Sequence, residues 1–192
     1  MTRAEIIEAA WELVREHGLA GLSLRDLGRR VGMRAQSLSS YFGSKNEIYD
    51  AMFLEGYQAF SDSLDRVTAD GPEQSDPVAA ARRTAHTFVE FCTADPVRYQ
   101  LLFQRTIPDF EPSAESWAVA LQTYEQTRQR LAAFGVEDQQ MFDLWTAVLT
   151  GLTDQQISND PGGTRWVQLV DRAVDMLLLH ITTHANQGSQ PT

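Results

Sequence analysis

Apolar residues recur at helical spacing along almost the whole chain. In the first segment, Ile6, Ala10 and Leu13 form one apolar face, and the segment ends at Gly18. No stretch shows the alternation of apolar and polar residues that is typical of a half-buried strand. The sequence therefore predicts an all-α protein.

Helix start signals and breakers divide the chain into about nine helices. Asp76-Pro77 and Asp95-Pro96 each place an N-cap residue before a proline at the first helical position. Residues 70–75 and 159–163 are rich in Asp, Gly and Pro and break the pattern. The predicted helices are 2–17, 24–31, 34–40, 44–69, a fifth from 77, 97–104, 113–134, 137–158 and 164–183.

Residues 23–45 have the pattern of a helix-turn-helix. Ser23 can cap a helix that has Leu24 and Leu27 on its inner face. Gly32 then stands where the chain must turn sharply, because glycine adopts a left-handed backbone without steric cost. In the following short helix, Leu38 points inward, and the polar residues left to face outward are Arg34, Gln36, Ser37, Ser39 and Ser40. Such side chains can enter a major groove and hydrogen-bond base edges.

The charge distribution favours nucleic acid only in this region. The whole chain has a formal net charge of -10, but residues 21–45 hold five basic residues and one acidic residue. Lys45, the only lysine, follows Ser44 in the first turn of the next helix, where it can reach a phosphate beside backbone N–H groups. The alternative is a small helical module with solvated arginines; the glycine turn and the local reversal of charge favour DNA.

The apolar, turn and capping residues of this region occur in a specific order. They are Ile6, Ala9, Ala10, Leu13, Gly18, Ser23, Arg25, Asp26, Leu27, Gly32, Leu38, Tyr41, Phe42, Ser44 and Lys45. Through them, residues 3–57 resemble the DNA-binding domain of the TetR family of bacterial repressors. The resemblance implies that residues 34–40 form the recognition helix and that Ser23, Tyr41 and Lys45 contact phosphates. The predicted DNA-contacting residues are Ser23, Arg34, Ala35, Gln36, Ser37, Ser40, Tyr41 and Lys45. The family often has Tyr where this chain has Ser39, so no backbone contact is expected there.

The length and composition agree with this organisation. We predict a helix-turn-helix domain at 1–46, a ligand-binding and dimerisation domain at 47–185 and a disordered tail at 186–192. No run of eighteen apolar residues is present, so no membrane span is expected. A single cysteine, Cys92, excludes an internal disulfide and fits a reducing cytoplasm.

The last two predicted helices are apolar over a broad arc. The ninth carries apolar residues on more than one face, so a second burying surface is expected. A homodimer in which these two helices meet their copies in a four-helix bundle would provide it, as the resemblance also implies. Val174, in the middle of the ninth helix, is expected in that interface. The alternative is a central helix of a monomeric bundle.

The fifth to eighth helices are rich in aromatic residues with scattered polar groups. Each alone fits an ordinary core, but an apolar pocket with a few polar groups is the usual form of a small-molecule site. The candidate ligand-binding residues are His86, Phe88, Phe91, Tyr99, Phe103, Trp117, Leu121, Tyr124, Arg128, Trp145 and Leu149. The sequence thus predicts a ligand-responsive repressor that binds an inverted-repeat operator and is released by a small, largely apolar effector.

Catalytic and metal-binding patterns are weak. There is no phosphate-binding glycine loop, nucleophile elbow or cysteine-pair motif, so neither an enzyme nor a cofactor is predicted. His180 and His184 could share a helix face, but they have no nearby Glu or Cys to complete a metal site. The rival prediction is a DNA-binding adaptor or architectural protein whose C-terminal domain binds another protein instead of a small molecule.

Overall fold

The computed structural model describes residues 2–69 and 76–187. Within these ranges the chain is all-helical, which confirms the predicted fold class. The α-helices are α1 (Arg3–His17), α2 (Leu24–Arg30), α3 (Ala35–Leu38), α4 (Lys45–Ala69), α5 (Pro77–Ala94), α6 (Pro96–Phe103), α7 (Ala114–Ala132), α8 (Gln139–Asn159) and α9 (Val170–Gln187). Two short 3₁₀ turns, Leu19–Gly21 and Val167–Leu169, precede α2 and α9.

Side-chain caps start most helices where the sequence predicts them. The Thr2 hydroxyl accepts from the Glu5 N–H while Glu5 accepts from the Thr2 N–H, so a full capping box begins α1. Ser44 accepts from the Glu47 N–H at the start of α4. Asp76 and Asp95 accept backbone N–H groups at the starts of α5 and α6. These contacts are local, which is why the sequence alone could predict them.

The first of two compact units contains the chain through Ala59 together with Asp95–Leu121. Its core joins α1 to α4, with Ile6, Ala10, Leu27 and Ile48 fully buried. Leu101 of α6 belongs to the same core, and Ile107 and Phe110 of the following loop pack against it. This unit therefore combines the helix-turn-helix with α6, the α6–α7 loop and the start of α7.

The second unit contains Phe60–Ala94 and the chain from Gln122 onward. Its core is formed by α5, α8 and α9, with contributions from the end of α7. Ala85, Val89, Trp145, Leu149 and Val174 are buried in it. Polar contacts also join α5 to α9, since Arg82 pairs with Asp175 and His86 with Asp171.

Most helices differ from their predicted bounds by one or two residues, and α3 and α9 differ most. The recognition helix is regular only over Ala35–Leu38, and turns follow it. Helix α9 begins six residues later than the predicted start at 164 and runs to Gln187. The cause of the late start is a distant side chain. Buried Gln156 of α8 accepts hydrogen bonds from the Trp166 and Val167 N–H groups and so holds the connection in place before α9 begins.

The predicted domain boundary at 46/47 does not coincide with the division into compact units, and it remains a prediction. The predicted breaker at 70–75 lies outside the described residues. The predicted tail also lies outside the described residues from 188 onward, and its first two residues, 186 and 187, are the last two of α9.

A partly buried carboxyl group joins α1 to α4. Trp11 Nε1 donates a hydrogen bond to Glu55 Oε1 at 3.1 Å. Burial raises the pKa of the Glu55 carboxyl because it disfavours the charged form, and the hydrogen bond from Trp11 only partly offsets this. Since the pKa is higher in the folded than in the unfolded chain, this group stabilises the fold at low pH. That contribution is lost as the pH rises through the folded-state pKa.

Glu55→Gln is therefore expected to raise the melting temperature at neutral pH. Glutamine keeps an acceptor for Trp11 and removes the desolvated charge, so the gain over wild type should vanish below about pH 4, where both side chains are neutral. Thermal unfolding monitored by circular dichroism across this pH range measures the difference. Glu137→Gln, at an exposed position just before α8, is the control. A gain that does not change with pH would contradict this account.

Candidate nucleic-acid interface

The predicted helix-turn-helix is present in the first unit. Helices α2 and α3 are joined at Gly32, whose φ of 69° is in the left-handed region that favours glycine. Leu27, Leu38 and Phe42 are buried and hold the two helices against α1 and α4. The packing leaves the polar side of α3 in solvent.

The start of α3 presents side chains that can read bases. Arg34 is the N-cap residue, and its side chain makes no capping hydrogen bond. Arg34, Gln36 and Ser37 are exposed. Ala35 is the first residue of α3, but its side chain is not among those that the structure describes. Three of the predicted contact residues therefore share one exposed segment.

The remaining serines of this region have hydrogen bonds of their own. The Ser40 hydroxyl donates to the Ser37 carbonyl at 2.7 Å, and the Ser39 hydroxyl donates to the Gln36 carbonyl at 2.6 Å. The Ser23 hydroxyl donates to Asp26 Oδ2 at 2.7 Å while it accepts the Asp26 N–H. In this arrangement, none of these three hydroxyl protons is directed at a ligand.

Tyr41 lies within the connection between α3 and α4, and Lys45 is the first residue of α4. The Lys45 ammonium donates to the Ala20 carbonyl at 3.5 Å and stands 5.3 Å from the centre of the Tyr49 ring. Arg3 donates to the Tyr41 carbonyl at 2.6 Å and so ties the start of α1 to this connection. The contacts of Lys45 are therefore with α4 and with the turn before α2.

The α2 arginines differ in their availability. The Arg30 guanidinium lies 2.5 Å from Glu16 Oε2, so the Glu16 carboxylate already compensates its charge. Arg30 is therefore a weaker candidate for a phosphate contact. Arg29 pairs with Asp26, whose pKa is lowered first by the Ser23 hydroxyl and then by Arg29. The Arg29 side chain is nevertheless 72% exposed, against 27% for Arg30, so it can still approach a phosphate. Arg25 is exposed. The predicted DNA-contacting residues do not include Arg25 and Arg29. Both belong to the excess of basic residues in 21–45, which was the sequence signal for considering them.

The predicted ligand-binding residues are divided between the two units. In the first unit Tyr99 is buried, Phe103 packs on Tyr57 at a centroid distance of 5.5 Å, and Trp117 stacks on Phe53 at 6.3 Å. Leu121 is exposed. These residues join an aromatic cluster within that unit.

In the second unit, the predicted ligand residues have mixed surroundings. The core residues are Trp145 and Leu149, and Phe88 and Phe91 pack against Phe60. Tyr124 packs on Phe142 and accepts a hydrogen bond from Gln139.

The two basic candidates of the second unit already have acidic partners. His86 Nε2 lies 2.9 Å from Asp171 Oδ1. Arg128 donates two hydrogen bonds to the Glu125 carboxylate, at 3.0 and 3.1 Å. Both side chains therefore already have polar partners, and Arg128 supplies little uncompensated positive charge for an anionic ligand.

Helices α8 and α9 carry exposed apolar side chains, but Val174 is not among them. Val174 is 0% exposed and lies in the core of its own protomer, so its expected place in a dimer interface was wrong. The ninth helix is apolar on two faces, and Val174 belongs to the inner one. The exposed residues are Leu144 of α8, Met176 at 65% and Leu179 at 68%. Gly151 of α8 faces open space, because a Cβ added there would meet no atom within 4 Å.

Residues 2–69 and 76–187 contain neither a candidate membrane span nor a candidate metal site. None of their helices is long and apolar enough to cross a membrane. No group of three or more His, Cys, Asp or Glu side chains in those ranges converges as a metal site would require.

The packing of α2 and α3 and the exposed polar side of α3 are those of a helix-turn-helix. Residues 6–52 match the family model described as bacterial regulatory proteins, tetR family. The HTH-type transcriptional regulator Rv1816 of Mycobacterium tuberculosis is 29% identical over 109 residues, which are 56% of this chain and 45% of that relative. The chain thus matches about half the length of this curated relative.

Solved structures show the same fold over almost the whole chain. The TetR family regulator PfmR from Thermus thermophilus has a TM-score of 0.65 at 23% identity, covering 91% of this chain and 97% of that one. A TetR variant from Acinetobacter baumannii, solved in complex with minocycline, has a TM-score of 0.65 at 18% identity, covering 95% and 97%. These findings show that residues 6–52 are similar to the tetR family of bacterial regulatory proteins and that the fold of the chain is also found in solved TetR-family structures.

Proposed function

We propose that the protein is a homodimeric repressor that binds an inverted-repeat operator and releases it on binding a small, largely apolar effector. The exposed side chains of Arg34, Gln36 and Ser37 at the start of α3 carry this proposal. They combine one arginine and one glutamine with a small side chain, in the element that a helix-turn-helix inserts into the major groove.

The serine hydrogen bonds limit which residues can read sequence. Because the Ser39 and Ser40 hydroxyls donate to backbone carbonyls, they are poor candidates for donating to base acceptors. Base selection is then left chiefly to Arg34 and Gln36, which suit guanine and adenine respectively. Arg25, Arg29, Tyr41 and Lys45 are proposed to contact phosphates, which fix the position of the protein but carry no sequence information.

Dimerisation is proposed through α8 and α9. Leu144, Met176 and Leu179 expose apolar surface that a second copy can cover, and Gly151 allows a close approach of helices. A two-fold dimer also matches the symmetry of an inverted-repeat operator.

An apolar effector is proposed because the C-terminal helices contain many aromatic side chains and because the two basic candidates, His86 and Arg128, lie beside acidic side chains. One solved relative is described as a complex with minocycline, which shows that this fold can hold a small molecule in that protein. The exposed Trp117, Leu121 and Tyr124 of α7 also support the alternative of an adaptor that binds a protein partner. Apolar compounds that raise the melting temperature and lower operator affinity would favour the effector.

Lys45→Ala tests the phosphate-contacting surface. We expect weaker binding to operator and random DNA alike, because a protein with one phosphate contact fewer per protomer releases fewer counterions. The slope of log affinity against log salt should become shallower by about one for each phosphate that is no longer neutralised. Fluorescence anisotropy over a salt series measures both effects.

Arg66→Ala, at an exposed position in the last turn of α4, is the matched control for loss of one positive charge. It should leave the affinity and the salt slope close to those of wild type. Equal behaviour of Lys45→Ala and wild type on both DNAs would show that Lys45 does not contact phosphate.

A further inference from the structure

The loop between α6 and α7 is fastened to the first turns of α4. Asp50 Oδ1 accepts a hydrogen bond from the Ser113 N–H at 2.7 Å, and Asp50 Oδ2 accepts one from the Ser113 hydroxyl at 2.9 Å. One turn earlier on α4, Asn46 Nδ2 donates to the Asp109 carbonyl at 3.2 Å. Both anchors closely follow Lys45, so the loop is attached to the end of α4 that we propose contacts DNA.

The Asp50–Ser113 contact, here called the latch, also begins α7. Ser113 Oγ accepts the Ser116 N–H at 3.2 Å, which makes Ser113 the cap of this helix. The Asp50 carboxylate therefore lies at the N-terminal end of α7, where the helix dipole favours negative charge. Asp50 consequently joins two helices, and a displacement of either one strains the latch.

Aromatic contacts support the same junction without fixing its position. Phe110 of the loop lies 5.6 Å from Tyr49 and 6.5 Å from Phe53 between ring centroids, and Trp117 stacks on Phe53. Such contacts are weakly directional and can slide. The hydrogen bonds of Asp50 and Asn46 are directional, so they determine the register of the loop on α4.

The backbone of the loop indicates that this arrangement is imposed by its surroundings. Asp109 has φ 59°, in the left-handed region that non-glycine residues rarely adopt. Its carbonyl is the one that Asn46 holds. A conformation of this kind persists only where neighbouring contacts determine it, and it is common in segments that switch between states.

We propose that Asp50 is a positioning residue that couples the start of α7 to the DNA-contacting end of α4. This inference rests on the proposed DNA binding. A closed latch holds Lys45 and the helix-turn-helix in one arrangement, and a ligand or partner that displaces α7 acts on DNA binding by opening it. Coupling of this kind is reciprocal, so operator binding must in turn favour the closed latch.

The test uses the full-length chain and the operator that the wild type selects from a random DNA pool. Hydrogen exchange is measured for amides of residues 104–113, none of which is proposed to touch DNA, with and without operator. We expect operator to slow exchange in the wild type. In Asp50→Asn, the amide nitrogen that replaces Oδ2 cannot accept the hydrogen bond from the Ser113 hydroxyl. Exchange in this variant should therefore be faster than in the wild type, and operator should not slow it.

Operator affinity gives a second readout. Asp50→Asn and Ser113→Ala should each lower it by about 5- to 150-fold, because operator binding favours the closed latch. The double variant should shift it no further than the larger single change, because both remove one interaction. Ser113→Thr keeps the hydroxyl and should restore the wild-type affinity. Glu115→Gln, which removes a charge from the same end of α7 outside the latch, should have no effect.

The outcomes separate the two proposals. A wild type that selects no DNA sequence overturns the proposed function and the coupling together. A wild type that binds its operator while loop exchange stays unchanged overturns the coupling alone, as does an Asp50→Asn protein with wild-type affinity and protection. Circular dichroism checks folding, and the Ser113 variants carry the test if Asp50→Asn does not fold.

Discussion

Met176→Asp is expected to leave a folded monomer at micromolar concentration and to lower operator affinity by about 10²- to 10⁴-fold. Met176 is largely exposed in the protomer, so the substitution costs the fold little. In a dimer formed through α8 and α9, two carboxylates would be placed in a dry interface without partners, which costs several kcal/mol. Loss of the dimer removes the gain from binding two half-sites at once.

Light scattering measures the oligomeric state, and operator titration measures the affinity. Two further variants separate loss of the dimer from the effects of an added charge and of unfolding. Gln122→Asp adds the same charge at an exposed position on α7 and should remain dimeric. Val174→Asp should unfold the protomer, since it buries a charge in the core of the second unit. A Met176→Asp protein that stays dimeric would exclude the proposed interface.

Arg34→Ala is expected to remove the preference for one base pair in each half-site. Arginine bonds guanine at two atoms, and such a contact discriminates by roughly 1–3 kcal/mol. An inverted repeat has two half-sites, so the proposed dimer would lose this discrimination at one base pair in each of them. Binding to random DNA should fall much less, since phosphate contacts remain.

Selection from a random DNA pool, repeated with each variant, tests this directly. Gln36→Ala should relax a different position, one that favours adenine in the wild type. Ser40→Ala serves as the control, because its hydroxyl already donates to the Ser37 carbonyl. An unchanged sequence preference in Arg34→Ala would mean that this residue does not read bases.

Local signals in the sequence predicted much of this structure. The caps at Ser23, Ser44 and Asp95 act within three residues, and the helices begin beside them. The glycine turn at Gly32 is similarly local. Together with helical periodicity, these signals were sufficient for the all-helical fold and for the exposed polar segment of α3.

Contacts between distant residues could not be predicted in this way. The Asp50–Ser113 latch joins residues 63 positions apart, and Gln156 caps a connection ten residues away. Periodicity also could not show which apolar face of α9 is the inner one, so Val174 was assigned to the wrong surface. The aromatic residues proposed for the ligand proved to belong to two units, a division that depends on the packing of the whole chain.

The basic surface has one chemical property that follows from its composition. Apart from Lys45, every permanent positive side chain in the 21–45 stretch is an arginine, whose guanidinium remains protonated at any pH a protein tolerates. Its positive charge is therefore insensitive to ordinary changes in acidity. Acylation of side-chain amines can remove only the single charge on Lys45, so most of the attraction to phosphate lies beyond the reach of lysine-directed modification.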